Sequence, residues 1–416
     1  MPHMIKQKKE KLFTFLVVLM ALLNVYVFPG IPVGFGEAAL MLFFPFYYKS
    51  DLDLSVRDYE KGFVLWLAYT CLVTLCVLNY VGSPLNSLFA TVRVVFYWII
   101  IFFIGKNLFD FKFFEKIIMY FSLFLSTFIL VQLVVYTITG IYIPGYLLNV
   151  PLNDGDVTGL WMYEHSLQLA SWKGFIRPSG FLCEPSHCCE FLFVSIMVLV
   201  ANRNIHFVKK NLLIFVFAIA ILATRSTEGV VLLFLSMMLY VIAEKRISFL
   251  RIPLIVLLAL ICVGMLSGSI DTNNNAIERI SNIINGSNNV DNSSDVRLNN
   301  GFNLFFDLPS IFKFFGCGMG QIDYLLENMS LLNTEKFMNA FSWILIMSGF
   351  LGTIIWFFSL FIFFVKANYL GKSLVVGFSL MSMGSSVFCQ PQMVWIFLLI
   401  IASMKDRDDR CVGFKL

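Results

Sequence analysis

The stretch IIMYFSLFLSTFILVQLVVYTI, residues 117–138, contains no charged side chain. A helix needs about 20 predominantly apolar residues to cross the hydrocarbon core of a bilayer. This stretch therefore predicts a transmembrane helix, and similar apolar stretches recur along the whole chain of 416 residues. We expect a protein built from membrane helices.

The composition supports the same conclusion. Apolar residues make up 59% of the chain and charged residues only 13%, which leaves too little polar surface to coat a soluble globule. No soluble domain is predicted beside the apolar stretches, so residues 1–416 are expected to form a single, all-α, polytopic membrane domain. The net charge of +4 reflects the basic residues of the predicted cytoplasmic loops. It therefore does not indicate binding to nucleic acid, and no nucleic acid partner is expected.

About twelve transmembrane helices are predicted. They cover residues 12–29, 31–47, 63–82, 87–105, 117–138, 185–201, 211–224, 229–243, 252–268, 342–365, 373–388 and 391–404. Most of the 30 Lys and Arg residues fall on one side of the membrane, which the positive-inside rule makes the cytoplasm. Both termini are therefore predicted to be cytoplasmic, in a multi-pass membrane protein with an uncleaved first helix.

Two loops on the outer, extracytoplasmic side are long, at residues 139–183 and 269–341. Long loops in a compact protein usually carry function or disorder. In the second loop, residues 271–300 are rich in Asn, whereas residues 302–326 are aromatic and contain glycines. We expect a flexible first part and a packed second part.

The first outer loop ends in the segment GFIRPSGFLCEPSHCCE, residues 174–190, which runs into an apolar stretch. Arg177, Glu184 and His187 are thereby placed at the mouth of the membrane, where ionisable groups usually have a function. A partly desolvated carboxyl group there suits acid/base chemistry. Glu184 also suits the capping position of the helix that Pro185 begins. Two of these residues also have a non-functional interpretation. Arg177 could direct its charge to lipid headgroups, and His187 could be a histidine at the membrane interface that has its hydrogen bonds satisfied.

The basic residues outside the predicted cytoplasmic loops are mostly arginines. They are Arg93, Lys173, Arg177, Arg225, Arg279, Arg297, Lys313 and Lys336. A guanidinium stays charged when partly desolvated and can donate two hydrogen bonds to phosphate oxygens. These arginines therefore suit a buried diphosphate as a ligand. Instead of binding a ligand, Arg225 could pair with Glu228 in a tight turn. Arg279 could be a solvated charge in the loop.

Neither a metal site nor a cofactor site is predicted. Cys183, His187, Cys188 and Cys189 lack the second ligand pair of a zinc site. A disulfide among the outer cysteines is permitted but not required; they are Cys183, Cys188, Cys189, Cys317 and Cys389. The alternating glycines of FGCGMG, residues 315–320, lack the surroundings of a dinucleotide site, so we expect them to let the backbone pass close to a ligand or helix.

Several segments resemble the family of bacterial O-antigen and capsule polymerases, the Wzy family. Arg177, then Gly180, then the run Glu-Pro-Ser-His at residues 184–187 is similar to the hallmark of that family. The sequence ATRSTEGVVLLFL, residues 223–235, resembles a turn between two helices in the wider polymerase and ligase superfamily, with Arg225 in the basic position.

The resemblance extends into the second outer loop and covers about residues 170–352. Arg297 and the later FFGCG, residues 314–318, are similar to the superfamily's arginine and glycine motif. Asn339, before a helix, resembles its closing motif. Met338 stands where O-antigen ligases have a histidine, which favours a polymerase over a ligase.

The resemblance implies a membrane glycosyltransferase of the GT-C type, which moves a growing glycan from one undecaprenyl diphosphate onto a lipid-linked repeat unit. It implies that Glu184, His187 and Arg177 are catalytic, with Glu184, alone or with His187, taking the proton of the acceptor hydroxyl. The residues expected to hold the diphosphate and glycan are Arg225, Arg297, Arg93, Lys173 and Asn339. No cofactor is expected, because the substrate carries its own leaving group.

The expected partners are undecaprenyl-diphosphate-linked oligosaccharides and membrane lipids, with a chain-length regulator and a flippase as protein partners. Two alternatives to the polymerase remain. One is an O-antigen ligase, which transfers the glycan to a lipid A core. The other is a flippase or transporter, for which the number of helices is the main support; the polar content of the two outer loops favours an enzyme.

Overall fold

A computed structural model describes residues 2–23, 26–29, 33–45, 53–78, 84–152, 158–173, 175–182, 184–202, 204–243, 293–322, 324–325, 338–385 and 387–412. Within these ranges the chain is predominantly helical and has no β-strand, only isolated bridges between single residues. The all-α class predicted from the sequence is therefore confirmed for this part of the chain.

The helices are numbered in chain order. They are α1 (Pro2–Leu23), α2 (Phe35–Leu42), α3 (Lys61–Val77), α4 (Pro84–Ile99), α5 (Phe111–Thr139), α6 (Gly159–Lys173), α7 (Pro185–Ala201), α8 (Phe207–Ala223), α9 (Thr227–Ala243), α10 (Ser293–Asp307), α11 (Ser310–Phe315), α12 (Ala340–Lys366), α13 (Tyr369–Gly384) and α14 (Gln392–Val412). A π-helical turn, Ile100–Gly105, extends α4 to Leu108. A short 3-10 helix, Val387–Cys389, precedes α14.

Three of the described helices are long and apolar enough to cross a membrane: Pro84–Leu108, Phe111–Thr139 and Ala340–Lys366. Shorter apolar helices are Lys61–Val77, Pro185–Ala201, Thr227–Ile242 and Gln392–Met404. The long helices expose large apolar side chains, such as Phe124 and Ile354, which favour contact with lipid over water. These are features of an all-α membrane protein, and the total of twelve spans stays a prediction.

Two predicted spans differ from the described helices. Within residues 31–47, helix α2 has eight residues, a rise of about 12 Å that is too short to cross a bilayer alone. Helix α1 begins at Pro2 rather than at residue 12, because its Lys- and Glu-containing start consists of good helix formers. Several predictions lie outside the described residues: the span 252–268, most of the Asn-rich stretch, Cys183, Arg279 and Lys336.

Contacts divide the chain into two compact units. Unit 1 comprises Met1–Phe13, Phe44–Phe109 and Asn289–Leu416, and unit 2 comprises Thr14–Phe43 and Asp110–Asn288. In unit 1, α12 packs on α3 and α13, and α13 packs on α14. In unit 2, α7 packs on α5, α8 and α9. The described residues of 139–183, the predicted first outer loop, belong to unit 2, and those of 269–341, the predicted second outer loop, belong to unit 1.

Unit 1 is built around a cluster of buried aromatic rings. Its centre contains Phe63 and Trp66 on α3, Trp98 on α4, Trp356 on α12 and Phe397 on α14. The ring centroids of Trp66 and Trp356 are 4.8 Å apart, and those of Phe63 and Trp356 are 4.9 Å apart, both in edge-to-face geometry. Each such pair adds about 0.5–1.5 kcal/mol beyond burial. The rings therefore hold α3, α4, α12 and α14 together.

The alternating glycines of residues 315–320 form a turn that packs closely on the helices of unit 1. Gly316, Gly318 and Gly320 have positive φ angles of 98°, 79° and 72°. A Cβ atom added at Gly318 would lie 2.7 Å from the backbone Cα of Thr74 on α3. The expected close approach of this backbone to a helix is therefore confirmed.

An interruption of α12 supplies the hydrogen-bond acceptors for this turn. At Gly349 the φ angle is 61°, which breaks the regular helical hydrogen bonding around it. The N–H groups of Cys317 and Gly318 donate to the carbonyl oxygens of Ile346, at 2.9 Å, and Met347, at 3.0 Å. Burial raises the pKa of the Cys317 thiol to about 12, so it stays protonated at neutral pH. The turn is thus fastened through its backbone.

We expect Gly318→Ala to destabilise the protein more than Gly140→Ala. Both glycines have positive φ, which costs an alanine about 1–2 kcal/mol. Only Gly318 also has backbone atoms where the new methyl group would lie, since nothing lies within 4 Å of a Cβ atom at Gly140. Thermal unfolding of both variants in the same detergent tests this, and equal midpoints would contradict the proposed contact with Thr74.

Candidate functional site

The start of α7 brings a carboxylate, a hydroxyl and an imidazole together. Glu184 precedes the helix in an extended conformation, and Pro185 begins it, as predicted. The Glu184 side chain does not cap the helix. Its Oε2 atom accepts a hydrogen bond from Ser186 Oγ at 3.0 Å and lies 3.9 Å from His187 Nε2. The two ionisable groups are thus close enough to influence each other without a direct hydrogen bond.

The two groups differ in their exposure. The Glu184 side chain is 36% exposed, whereas that of His187 is 14% exposed. The His187 Nδ1 atom is buried and has no hydrogen-bond partner among the described residues. The carboxylate is therefore the more exposed of the two groups, and the imidazole lies behind it.

Arg225 occupies the tight turn between α8 and α9. It is the one non-glycine residue with a positive φ angle, 53°, in the described part of the chain. Its guanidinium lies 4.5 Å from the ring centroid of Phe175, in the segment that leads to α7. Burial lowers the pKa of Arg225, because partial removal from water disfavours the cation. The turn thus holds a partly desolvated guanidinium against the Arg177 segment.

Contacts between α7 and the α8–α9 turn close this site within unit 2. The Cys189 Sγ atom lies 3.1 Å from Thr224 Oγ1, next to Arg225. Of the predicted site residues, Glu184 and His187 therefore lie together at the start of α7, and Arg225 lies against Phe175, two residues before Arg177.

A buried glutamine on α5 holds the loop that carries Arg177. Gln132 is fully buried, its Oε1 accepts from the Gly180 N–H at 2.9 Å, and its Nε2 donates to the Gly180 carbonyl at 3.3 Å. Nε2 also donates to the Ile143 carbonyl at 3.0 Å. On the other side, Cys188 Sγ donates to the Ser179 carbonyl at 2.7 Å. These bonds fasten the loop to α5 and α7.

Gln132 is the site residue that the sequence analysis missed. Its signal was a single amide side chain within the apolar stretch 117–138. Polar residues inside membrane helices are rare and usually face a partner or a cavity. The partner here is backbone, because the φ angle of 57° at Gly180 places both of its polar groups toward the amide.

The remaining predicted residues lie elsewhere. Arg93 is partly buried on α4 in unit 1. Asn339, also in unit 1, is buried, and its Oδ1 accepts from the Ser342 N–H at 2.8 Å, so it caps α12. Lys173 ends α6 and Arg297 lies on α10, but their side chains lie outside what the structure describes. The diphosphate-binding role proposed for Arg297 stays a prediction.

The cysteines described at the site are free thiols. Cys188 and Cys189 form no disulfide, and neither does Cys317 in unit 1. The side chains of Cys183 and Cys389 lie outside the described residues. Where side chains are described, no group of three His, Cys, Asp or Glu residues is placed to hold a metal ion.

Comparison with known proteins does not indicate a function, so the functional conclusion rests on the geometry of the candidate site. No protein-family model and no curated protein matches the chain. The geometry consists of a carboxylate 3.9 Å from an imidazole, a guanidinium against the ring of Phe175, and an amide that holds the loop carrying Arg177. This arrangement can move a proton and bind an anion.

We expect Gln132→Leu to destabilise the protein, because it leaves the Gly180 N–H and carbonyl groups buried without their amide partner. Each buried polar group left in this way costs about 1–3 kcal/mol. Thermal unfolding in detergent measures the effect. Ser126→Ala is the matched control, because Ser126 is also buried on α5 and its hydroxyl oxygen has no hydrogen-bond partner among the described residues. A Gln132→Leu midpoint equal to that of Ser126→Ala would contradict the proposed role of the amide.

Proposed function

We propose that the chain is a polysaccharide polymerase of the Wzy type, a membrane glycosyltransferase that joins undecaprenyl-diphosphate-linked repeat units on the outer face of the bacterial inner membrane. The observation that carries the proposal is the pairing of Glu184 and His187 at the start of α7, with Arg225 held against Phe175 in the segment that also contains Arg177. An acid/base pair beside placed cations is what glycosyl transfer from a diphosphate requires.

The reaction forms one bond and breaks one. The acceptor hydroxyl oxygen attacks the anomeric carbon of the donor glycan, while the bond from that carbon to the diphosphate oxygen breaks. Undecaprenyl diphosphate leaves with the electron pair, and the proton of the acceptor hydroxyl passes to Glu184. His187, 3.9 Å from that carboxylate, is placed to share the proton. No cofactor takes part in this scheme, because the diphosphate is the leaving group.

The leaving diphosphate gains negative charge at its bridging oxygen as the bond breaks. The start of α7 is the positive end of the helix dipole, which favours such an anion nearby. Arg177, which is exposed, and Arg225, which is half-buried, add two guanidinium groups. A strained φ angle costs about 1–3 kcal/mol and is typical of functional sites, so the conformation of Arg225 supports a role in binding.

We expect no polymerisation when Glu184→Gln or Arg177→Ala is expressed in a strain from which the gene has been deleted. Glu164→Gln on α6 is the matched control, since it removes an exposed carboxylate from the same unit. Surface polysaccharide separated on a gel provides the measurement. Single-repeat material is expected from the first two variants, and wild-type chain lengths from the control.

The same gel separates the alternatives. If long lipid-linked chains accumulate and none reaches lipid A core, the protein is a ligase. If repeat units are trapped on the cytoplasmic side, it is a transporter. Normal chain lengths from Glu184→Gln, at normal protein levels, would remove Glu184 from the mechanism.

We expect Arg225→Gly to separate function from stability. Glycine adopts a positive φ without strain, so the thermal unfolding midpoint should stay the same or rise. The polysaccharide should nevertheless stop at single repeats, because the guanidinium is lost. Normal chain lengths from this variant would show that Arg225 serves the turn and not the substrate.

A further inference from the structure

Helices α3 and α12 of unit 1 run side by side in opposite directions. Gly62, at the start of α3, lies against the side chain of Ser359, toward the end of α12. Further along the pair, a Cβ atom added at Gly352 would lie 2.9 Å from Cε1 of Tyr69. The end of α3 and the start of α12 therefore lie at the same end of unit 1, which we call the Ala340 end.

Residues 301–321 leave the Ala340 end and return to it. On the way in, Gly301 of α10 lies against the side chain of Ser342, in the first turn of α12. On the way out, the Met319 N–H donates to Thr74 Oγ1 at 3.0 Å, near the end of α3. Helices α10 and α11 and the glycine turn therefore form a hairpin that enters and leaves on one side.

The hairpin reaches the middle of both helices. A Cβ atom added at Gly349 would lie 2.5 Å from the Phe314 carbonyl oxygen, and Tyr69 Oη donates to the Phe315 carbonyl at 2.8 Å. Gly349 follows the start of α12 by nine residues, a rise of about 14 Å. Helix α12 is long and apolar enough to cross a bilayer, whose hydrocarbon core is about 30 Å thick. The tip of the hairpin is therefore at membrane depth.

One edge of the hairpin is apolar and exposed. Phe306 on α10 and Ile311 and Phe314 on α11 all present large side chains outward. This apolar edge adjoins the exposed face of α12, because the ring centroids of Phe305 and Phe350 are 5.2 Å apart and Phe350 is itself exposed. The surface of a membrane-crossing helix thus continues onto the hairpin, which favours lipid over water as its surroundings.

The other exposed edge is polar. Successive residues of an α-helix are turned by about 100°, so Asn303 and Asp307 share one side of α10, next to the side that carries Phe306. Both are exposed, whereas Leu304 and Phe305 are buried against unit 1. Helix α10 therefore has a packed side, an apolar exposed side and a polar exposed side. A helix surrounded only by lipid or only by water would not separate its exposed residues in this way.

We propose that residues 301–321 form a re-entrant hairpin in the membrane, whose apolar edge contacts lipid acyl chains at the Ala340 end and whose polar edge faces water. Non-helical backbone is tolerated at membrane depth where it is buried in protein. Residues 316–319 meet this condition, since they are buried and the N–H groups of Cys317 and Gly318 donate to α12. The proposal does not depend on the proposed function.

The test places the photoreactive residue p-benzoylphenylalanine at Ile311 or at Phe314 of the full chain, by suppression of an amber codon. Both positions are exposed, so the larger side chain displaces no packed one. The protein is irradiated in nanodiscs of phosphatidylethanolamine and phosphatidylglycerol, and its intact mass is measured. We expect the mass to rise by that of one phospholipid at either position, because the benzophenone inserts into C–H bonds of the acyl chains.

Two further positions calibrate the result. At Ile354, exposed on α12, the photoreactive residue should also capture phospholipid. At Asn303, on the polar edge, it should capture none. Capture at Ile354 but not at Ile311 or Phe314 would overturn the proposal. A covalent dimer of the chain from Ile311 or Phe314 would do the same, since a second copy would then occupy the apolar edge. Capture at Asn303 as strong as that at Ile311 would contradict the water-facing edge.

Discussion

Backbone polar groups buried among apolar helices must find partners inside the protein, because lipid offers none. Two places in the chain meet this requirement outside regular helices. In unit 2, the amide of Gln132 takes up both polar groups of Gly180. In unit 1, the break of α12 at Gly349 leaves carbonyls that accept from the turn at Cys317 and Gly318. Non-helical segments can therefore be packed inside each unit. In unit 2, such segments carry Arg177 and Arg225 of the candidate site.

The candidate site consists of charged groups on separate segments of unit 2. Glu184 at the start of α7 is partly exposed, and Arg225 in the α8–α9 turn is partly withdrawn from water. Gln132 holds Gly180, and Cys188 donates to the Ser179 carbonyl, so the segment that carries Arg177 is fastened to α5 and α7.

The sequence brought Glu184 and His187 close together but gave no sign of the contacts that Gln132, Tyr142 and Tyr163 make, for a physical reason. Glu184 and His187 are three residues apart, and that spacing brings them to one face of any helix that Pro185 begins. Tyr142 and Tyr163 stack only because the loop between them folds back, and no periodicity announces this. Gln132 was visible as a polar residue in an apolar stretch, but its partner was not. The expectation for Asn339 was incomplete, since the structure shows that it caps α12.

The sequence by itself determined the all-α class of structure, because long apolar stretches without charges favour helices, which satisfy their own backbone hydrogen bonds in a membrane. It also determined which groups can do chemistry at the start of α7, since those residues are neighbours in the chain. Only the tertiary structure decided that Arg225 lies against Phe175, that Gln132 holds Gly180, and that Tyr142 stacks on Tyr163. These contacts join distant residues, and they depend on how the helices of each unit pack.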